Sequence, residues 1–183
     1  MKFKEVFGVR GIATVGVMAA TLECGKLVLS FLPNIEVVSI LTALFGYVFG
    51  WAGVISTFIF VLIEPLIWGF GPWFITYLIY WPALAAIFML LGRRGVKSRL
   101  TICAVSLGMT LLFGLLSSVI DCALYLGINE YYFKNLPLYY LRGVGFYLTQ
   151  IICNAVLFPT LFLLLSEKLG QIKKSIKPNN CKQ

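Results

Sequence analysis

The carboxylates of this 183-residue chain number only seven, and five of them, Glu23, Glu36, Glu64, Asp121 and Glu130, fall toward one side of the apolar segments that dominate the sequence. A charge at membrane depth is costly and normally faces a cavity or a partner. By helical rise, Glu64 lies about 20 Å along its segment and Asp121 roughly one turn from the end of another. Gln150 and Asn154, four residues apart, share one helical face. Four polar side chains from three segments therefore gather in one half of the protein, where they can orient a bound molecule. Asp121 has an alternative role, as the partner of Arg142 or Lys134. Glu64 precedes Pro65, and a residue before proline is pushed away from helical geometry. The dipeptide predicts either a broken helix end that carries a binding carboxylate or a kink with a paired Glu.

Aromatic side chains share that half. Trp73, Tyr77 and Trp81 recur at i, i+4 and i+8 and form one stripe. It runs too deep for all three to belong to an interfacial belt, so pocket lining is preferred over lipid contact. Trp68, Phe70, Tyr131, Tyr132, Tyr139, Tyr140 and Tyr147 add to the same end, and the loop tyrosines fit the belt. Flat ligands gain from stacking and apolar burial, with a few polar groups fixing their orientation. The acidic residues suggest no enzyme: Glu64 and Asp121 have no visible activating partner, and no catalytic set is expected. The chain has no His, and Cys24, Cys103, Cys122, Cys153 and Cys181 show no CxxC spacing, so neither a metal nor a cofactor is expected.

The elements that must position these groups follow from composition. The chain is 60% hydrophobic and 12% charged, with a mean hydropathy of +0.93; soluble domains carry about 25% charged residues. Its apolar runs approach the roughly 20 residues that cross a bilayer as helix, and they lack the period-two alternation of a barrel strand. The expectation is an all-α membrane protein, a compact bundle of about six transmembrane helices forming a single domain over 1-183. The spans are placed at 9-32, 35-48, 52-68, 73-91, 100-126 and 141-165, with a break at Pro33-Asn34, a glycine-rich reversal at Gly46 to Gly53, a polar loop at Asn129 to Tyr140 and a polar tail from Ser166. Spans two and three also fit one broken hairpin. The basic, apolar start resembles a signal peptide, but Glu23 stands before Cys24 where lipoprotein cleavage needs a small residue, so cleavage is not expected.

Orientation follows from the basic residues, which concentrate in cytoplasmic segments. With the N-terminus inside, Lys2, Lys4, Arg10, Arg93, Arg94, Lys97, Arg99, Lys168, Lys173, Lys174, Lys177 and Lys182 all lie inside, and only Lys26, Lys134 and Arg142 lie outside. Both termini are therefore expected in the cytoplasm. The net charge of +8 reads as a topology signal and a contact with anionic lipid, with no nucleic-acid partner. Along the first span, Ala13, Gly16 and Ala20 place small residues on one face, which lets another helix approach closely. From the residues alone, packing inside the bundle is the preferred use of that face, ahead of docking a second protein.

Taken together, the six spans, the small-residue face, Leu32-Pro33-Asn34-Ile35-Glu36 opening the second span, and Glu64-Pro65-Leu66-Ile67-Trp68-Gly69-Phe70-Gly71-Pro72-Trp73 followed by Tyr77 and Trp81 resemble the substrate-binding S components of energy-coupling factor (ECF) transporters. The resemblance covers nearly the whole chain as a pattern rather than a strict motif. It implies a vitamin or related micronutrient, including the corrinoid and porphyrin classes, captured at the outer face of the bacterial cytoplasmic membrane. It implies docking of Ala13, Gly16 and Ala20 onto a transmembrane coupling subunit that works with two ATPase subunits. It makes Glu64, Trp68, Trp73, Tyr77, Trp81, Asp121, Gln150 and Asn154 the substrate-binding candidates. The chain has no Walker-type glycine loop of its own. No substrate-diagnostic motif is present, which leaves the ligand open. The competing reading is a small MreD-like structural scaffold of similar size, with its polar residues facing partner helices and no small-molecule ligand.

Overall fold

A computed structural model describes residues 1, 3–31 and 37–176. The described chain folds as eight helices: α1 (Phe3–Val6), α2 (Val9–Val28), α3 (Val38–Phe49), α4 (Trp51–Trp68), α5 (Trp73–Arg93), α6 (Arg99–Leu126), α7 (Tyr132–Arg142) and α8 (Val144–Ile176). Five of them, α2, α4, α5, α6 and α8, are long and apolar enough to cross a membrane, and α3 is an apolar helix of 12 residues. Their outward faces carry Val17, Leu66, Ile79, Leu112, Leu148, Ile152 and Leu164, each about half or more exposed. Apolar patches of that extent are foreign to the surface of a soluble monomer. The protein is an all-α membrane protein.

The short α3 is the central pillar. Ten of its twelve residues are buried, and it packs against α5, α4 and α8. The chain reverses at Gly50, whose φ of 65° is open to glycine at no steric cost, and returns as α4. Close approach is built into the α3–α5 contact. A Cβ on Gly46 would stand 2.1 Å from the Ala85 carbonyl oxygen, and one on Gly92 would stand 2.2 Å from that of Tyr47. Both obstacles are helix backbone, which cannot rotate away as a side chain would. Gly46→Leu is therefore expected to lower stability by about 3 kcal/mol, toward the upper end of overpacking costs, as read by thermal unfolding in detergent.

The helices alternate in direction, which sorts the polar residues. One end of the bundle holds the C-terminal ends of α2, α4 and α6, the start of α5, and α7. The opposite end holds Lys4, Arg10, Arg93, Arg94, Lys97, Arg99, Lys168, Lys173 and Lys174. At that basic end, the Met1 ammonium donates to the Phe49 carbonyl (2.8 Å), the Lys173 ammonium donates to that of Val48, and the Tyr47 hydroxyl donates to that of Val96 (2.8 Å).

Several expected boundaries are corrected. The segment expected as a loop over Asn129 to Tyr140 contains α7, an amphipathic helix that packs on α6. Its Tyr132 is buried and donates its hydroxyl to the Val119 carbonyl (3.1 Å). At 11 residues, with Lys134, Asn135 and Pro137 interrupting its apolar positions, such a helix escapes a search for spans. The last helix starts at Val144 rather than 141 and runs to Ile176 instead of stopping at 165. Leu165, Leu169 and Ile172 continue the helical spacing into the tail, and the first two pack on the core. α4 does not break at Glu64. It continues through Pro65 to Trp68, and the Gly69 N–H donates to the Pro65 carbonyl (3.0 Å). In apolar surroundings an unbonded backbone group is expensive, so a proline interrupts one bond and the helix resumes. Pro33, Asn34, Glu36, the start of the second span at Ile35, Lys2, Lys177, Cys181 and Lys182 lie outside the described residues.

Candidate binding site

At the end opposite the basic cluster, the Lys26 side chain of α2 reaches α4 and its ammonium donates to Glu64 Oε2. The Glu64 side chain is fully buried and that of Lys26 is 21% exposed, so the pair sits at the edge of the interior with its acidic partner inside. Three residues before Lys26 on the same helix, buried Glu23 turns its carboxylate toward those two groups. No donor of another described residue reaches either Glu23 oxygen or Glu64 Oε1, and the two carboxyls face each other at hydrogen-bond range. Buried polar atoms in folded proteins nearly always find partners, so three acceptors in one place mark a site open to a further group.

Rings enclose the same point. The Lys26 ammonium lies 5.6 Å from the ring centre of Trp68, 5.9 Å from that of Trp73 and 5.2 Å from that of Tyr77. The expected stripe on α5 thus turns inward: Trp73 and Tyr77 are half-buried and Trp81 is buried. Its rings touch edge to face, at 5.1 Å for Trp73–Tyr77 and 5.7 Å for Tyr77–Trp81. The wall then crosses to α6 through Phe113, 6.2 Å from Tyr77, and to α8 through Tyr147, 6.3 Å from Phe113.

The remaining candidates form two other groups. Asn154 on α8 is buried and donates to Thr110 Oγ1 on α6 (2.9 Å), and the Thr110 hydroxyl donates on to the Ser106 carbonyl (3.0 Å). Gln150, one turn away on α8, is also buried. Thr110 lies one turn from Phe113, so the aromatic wall runs from this pair to the Lys26–Glu64 group. Asp121 stands with neither: it is half-buried, hydrogen-bonded to the Ser117 side chain and close to Arg142. Its alternative role beside Arg142 is the one its surroundings fit. Lys26, Glu23 and Thr110 were not among the candidates. The sequence did carry a signal for the first two, a Glu and a Lys at i, i+3 late in an apolar helix.

Ala13, Gly16 and Ala20 are exposed, and a Cβ on Gly16 would meet nothing within 4 Å. The expected packing of this face inside the bundle is therefore corrected. The helix buries Gly11, Val15, Met18, Ala19 and Leu22 instead, and Ile12 and Val17 share the exposed face. Beside the exposed face, Ala13 and Val17 border an open, mostly apolar groove shared with Leu41, Leu44, Leu165 and Leu169. No family model, curated protein or solved structure matches the chain.

Proposed function

We propose that the chain is the substrate-binding S component of an ECF-type importer, with six spans, both termini in the cytoplasm of a bacterium and the Lys26–Glu64 end facing out. The observation that carries this reading is a buried charged pair with unfilled acceptors, enclosed by Trp68, Trp73 and Tyr77. Such a combination of apolar wall and a few polar groups suits a small-molecule pocket. The orientation is supported by the basic residues at the opposite end. The exposed face of Ala13, Gly16 and Ala20 is free to meet a coupling subunit, and the ATPase subunits complete the importer. The ligand is a micronutrient of the vitamin, corrinoid or porphyrin class.

Mass spectrometry of small molecules released from the detergent-purified protein, with a thermal-shift screen of vitamins, cobalamins and haem, tests the reading. A stoichiometric micronutrient is the expected result. An empty protein that no candidate stabilises overturns it in favour of a scaffold. Within the pocket, Trp73→Ala or Tyr77→Ala is expected to weaken affinity by about 1–3 kcal/mol, the worth of a large buried apolar side chain; unchanged affinity in a titration would place the ligand elsewhere.

A further inference from the structure

The charge balance of the pocket bears on which ligand it takes, given the reading above that it is a ligand pocket. Two carboxylates, Glu23 and Glu64, face one ammonium, Lys26. The Glu23 and Glu64 carboxyls face each other at hydrogen-bond range, so one proton shared between them leaves the group neutral, and a cation that displaces that proton gains both carboxylates as partners. The surrounding rings have the same preference. The faces of Trp and Tyr attract cations, and three of them already lie within 5.9 Å of an ammonium here. An anion drawn to Lys26 would have to settle against two carboxylates and three electron-rich ring systems. A cation entering the same space meets free acceptors on Glu23 and Glu64 and a wall built to hold positive charge. Lys26 serves as a tethered cation that keeps Glu64 paired inside the apolar bundle until the ligand arrives.

We infer that the ligand carries a cationic nitrogen, protonated or quaternary, on a flat or apolar body, and that this nitrogen seats at Glu23 and Glu64 among Trp68, Trp73 and Tyr77. The test uses three flat probes that differ in charge: 1-methylnicotinamide, a permanent cation; nicotinamide, its neutral counterpart; and nicotinate, the anion. Each is titrated by calorimetry into the full-length detergent-purified protein and into Glu23→Gln, which keeps the side-chain shape and removes one charge. The cation is expected to bind about tenfold or more tighter than nicotinamide, the scale of one desolvated cation–π contact, and to lose about tenfold in Glu23→Gln. Nicotinamide or nicotinate binding as tightly as the cation overturns the charge assignment, as does a cation affinity that Glu23→Gln leaves unchanged. A failure of all three probes to bind also overturns it. In each of these cases the pocket reading stands or falls separately, on whether the purified protein releases a bound micronutrient.

Discussion

Lys26→Met alone is expected to destabilise the protein by about 3 kcal/mol, whereas Lys26→Met with Glu23→Gln and Glu64→Met regains most of the stability and abolishes ligand binding. The reason is an asymmetry of buried ionic groups. Removing the ammonium leaves two buried carboxyl groups, Glu23 and Glu64, with no cation beside them, at about 3–5 kcal/mol, while replacing the whole group with neutral side chains of similar volume is often neutral or stabilising. The lower end applies here because the Lys26 side chain keeps 21% of its surface exposed. Thermal unfolding in detergent reads the first quantity and ligand titration the second. If the triple variant still binds, the group is a structural staple and the pocket lies elsewhere along the aromatic wall. If the single variant costs nothing, the two carboxyl groups need no ammonium beside them.

On the proposed importer reading, the second large effect falls on transport and leaves binding intact. Gly16→Leu adds a side chain into open space, so the bundle itself gains no clash. Uptake in cells that carry the coupling module is expected to fall to background, while the purified variant keeps the ligand affinity of the parent. Ala20→Leu, on the same exposed face, is expected to behave alike. Close approach between membrane helices depends on small residues, and a branched four-carbon side chain holds the partner away. Retained uptake would remove the docking role from this face, and lost affinity would mean that the substitution reaches the pocket.

Local pattern carried much of the fold. The apolar runs that predict spans at 52-68, 73-91 and 100-126 correspond to α4, α5 and α6 within about two residues, because each is bounded by a glycine or a basic turn. The stripe Trp73, Tyr77, Trp81 was also legible, since helical spacing alone puts its members on one face. What escaped was non-local or not apolar. Lys26 and Glu64 are 38 residues apart, and nothing in either neighbourhood indicates that their helices adjoin. A count of basic residues treats Lys26 as an exception to topology, yet that exception is the side chain at the centre of the ring cluster. α7 escaped because it is too short to read as a span, and the far end of α8 because its stability comes from packing one face on the bundle rather than from hydrophobicity. The outward turn of Gly16 could not be read because small residues serve internal and external contacts equally well.

The placement of the tryptophans has a spectroscopic consequence. Trp68 and Trp73 flank the Lys26 ammonium and Trp81 extends the same wall. Trp51, the remaining one of four, sits at the far end of the bundle against Phe3 and Arg93. Three of the four tryptophans therefore share one ring cluster, and the fourth is an internal reference at the other end of the bundle. Tryptophan emission from the unlabelled protein, excited beyond the tyrosine band, reports chiefly on events beside Glu64, and a Trp51→Phe background would make that report exclusive.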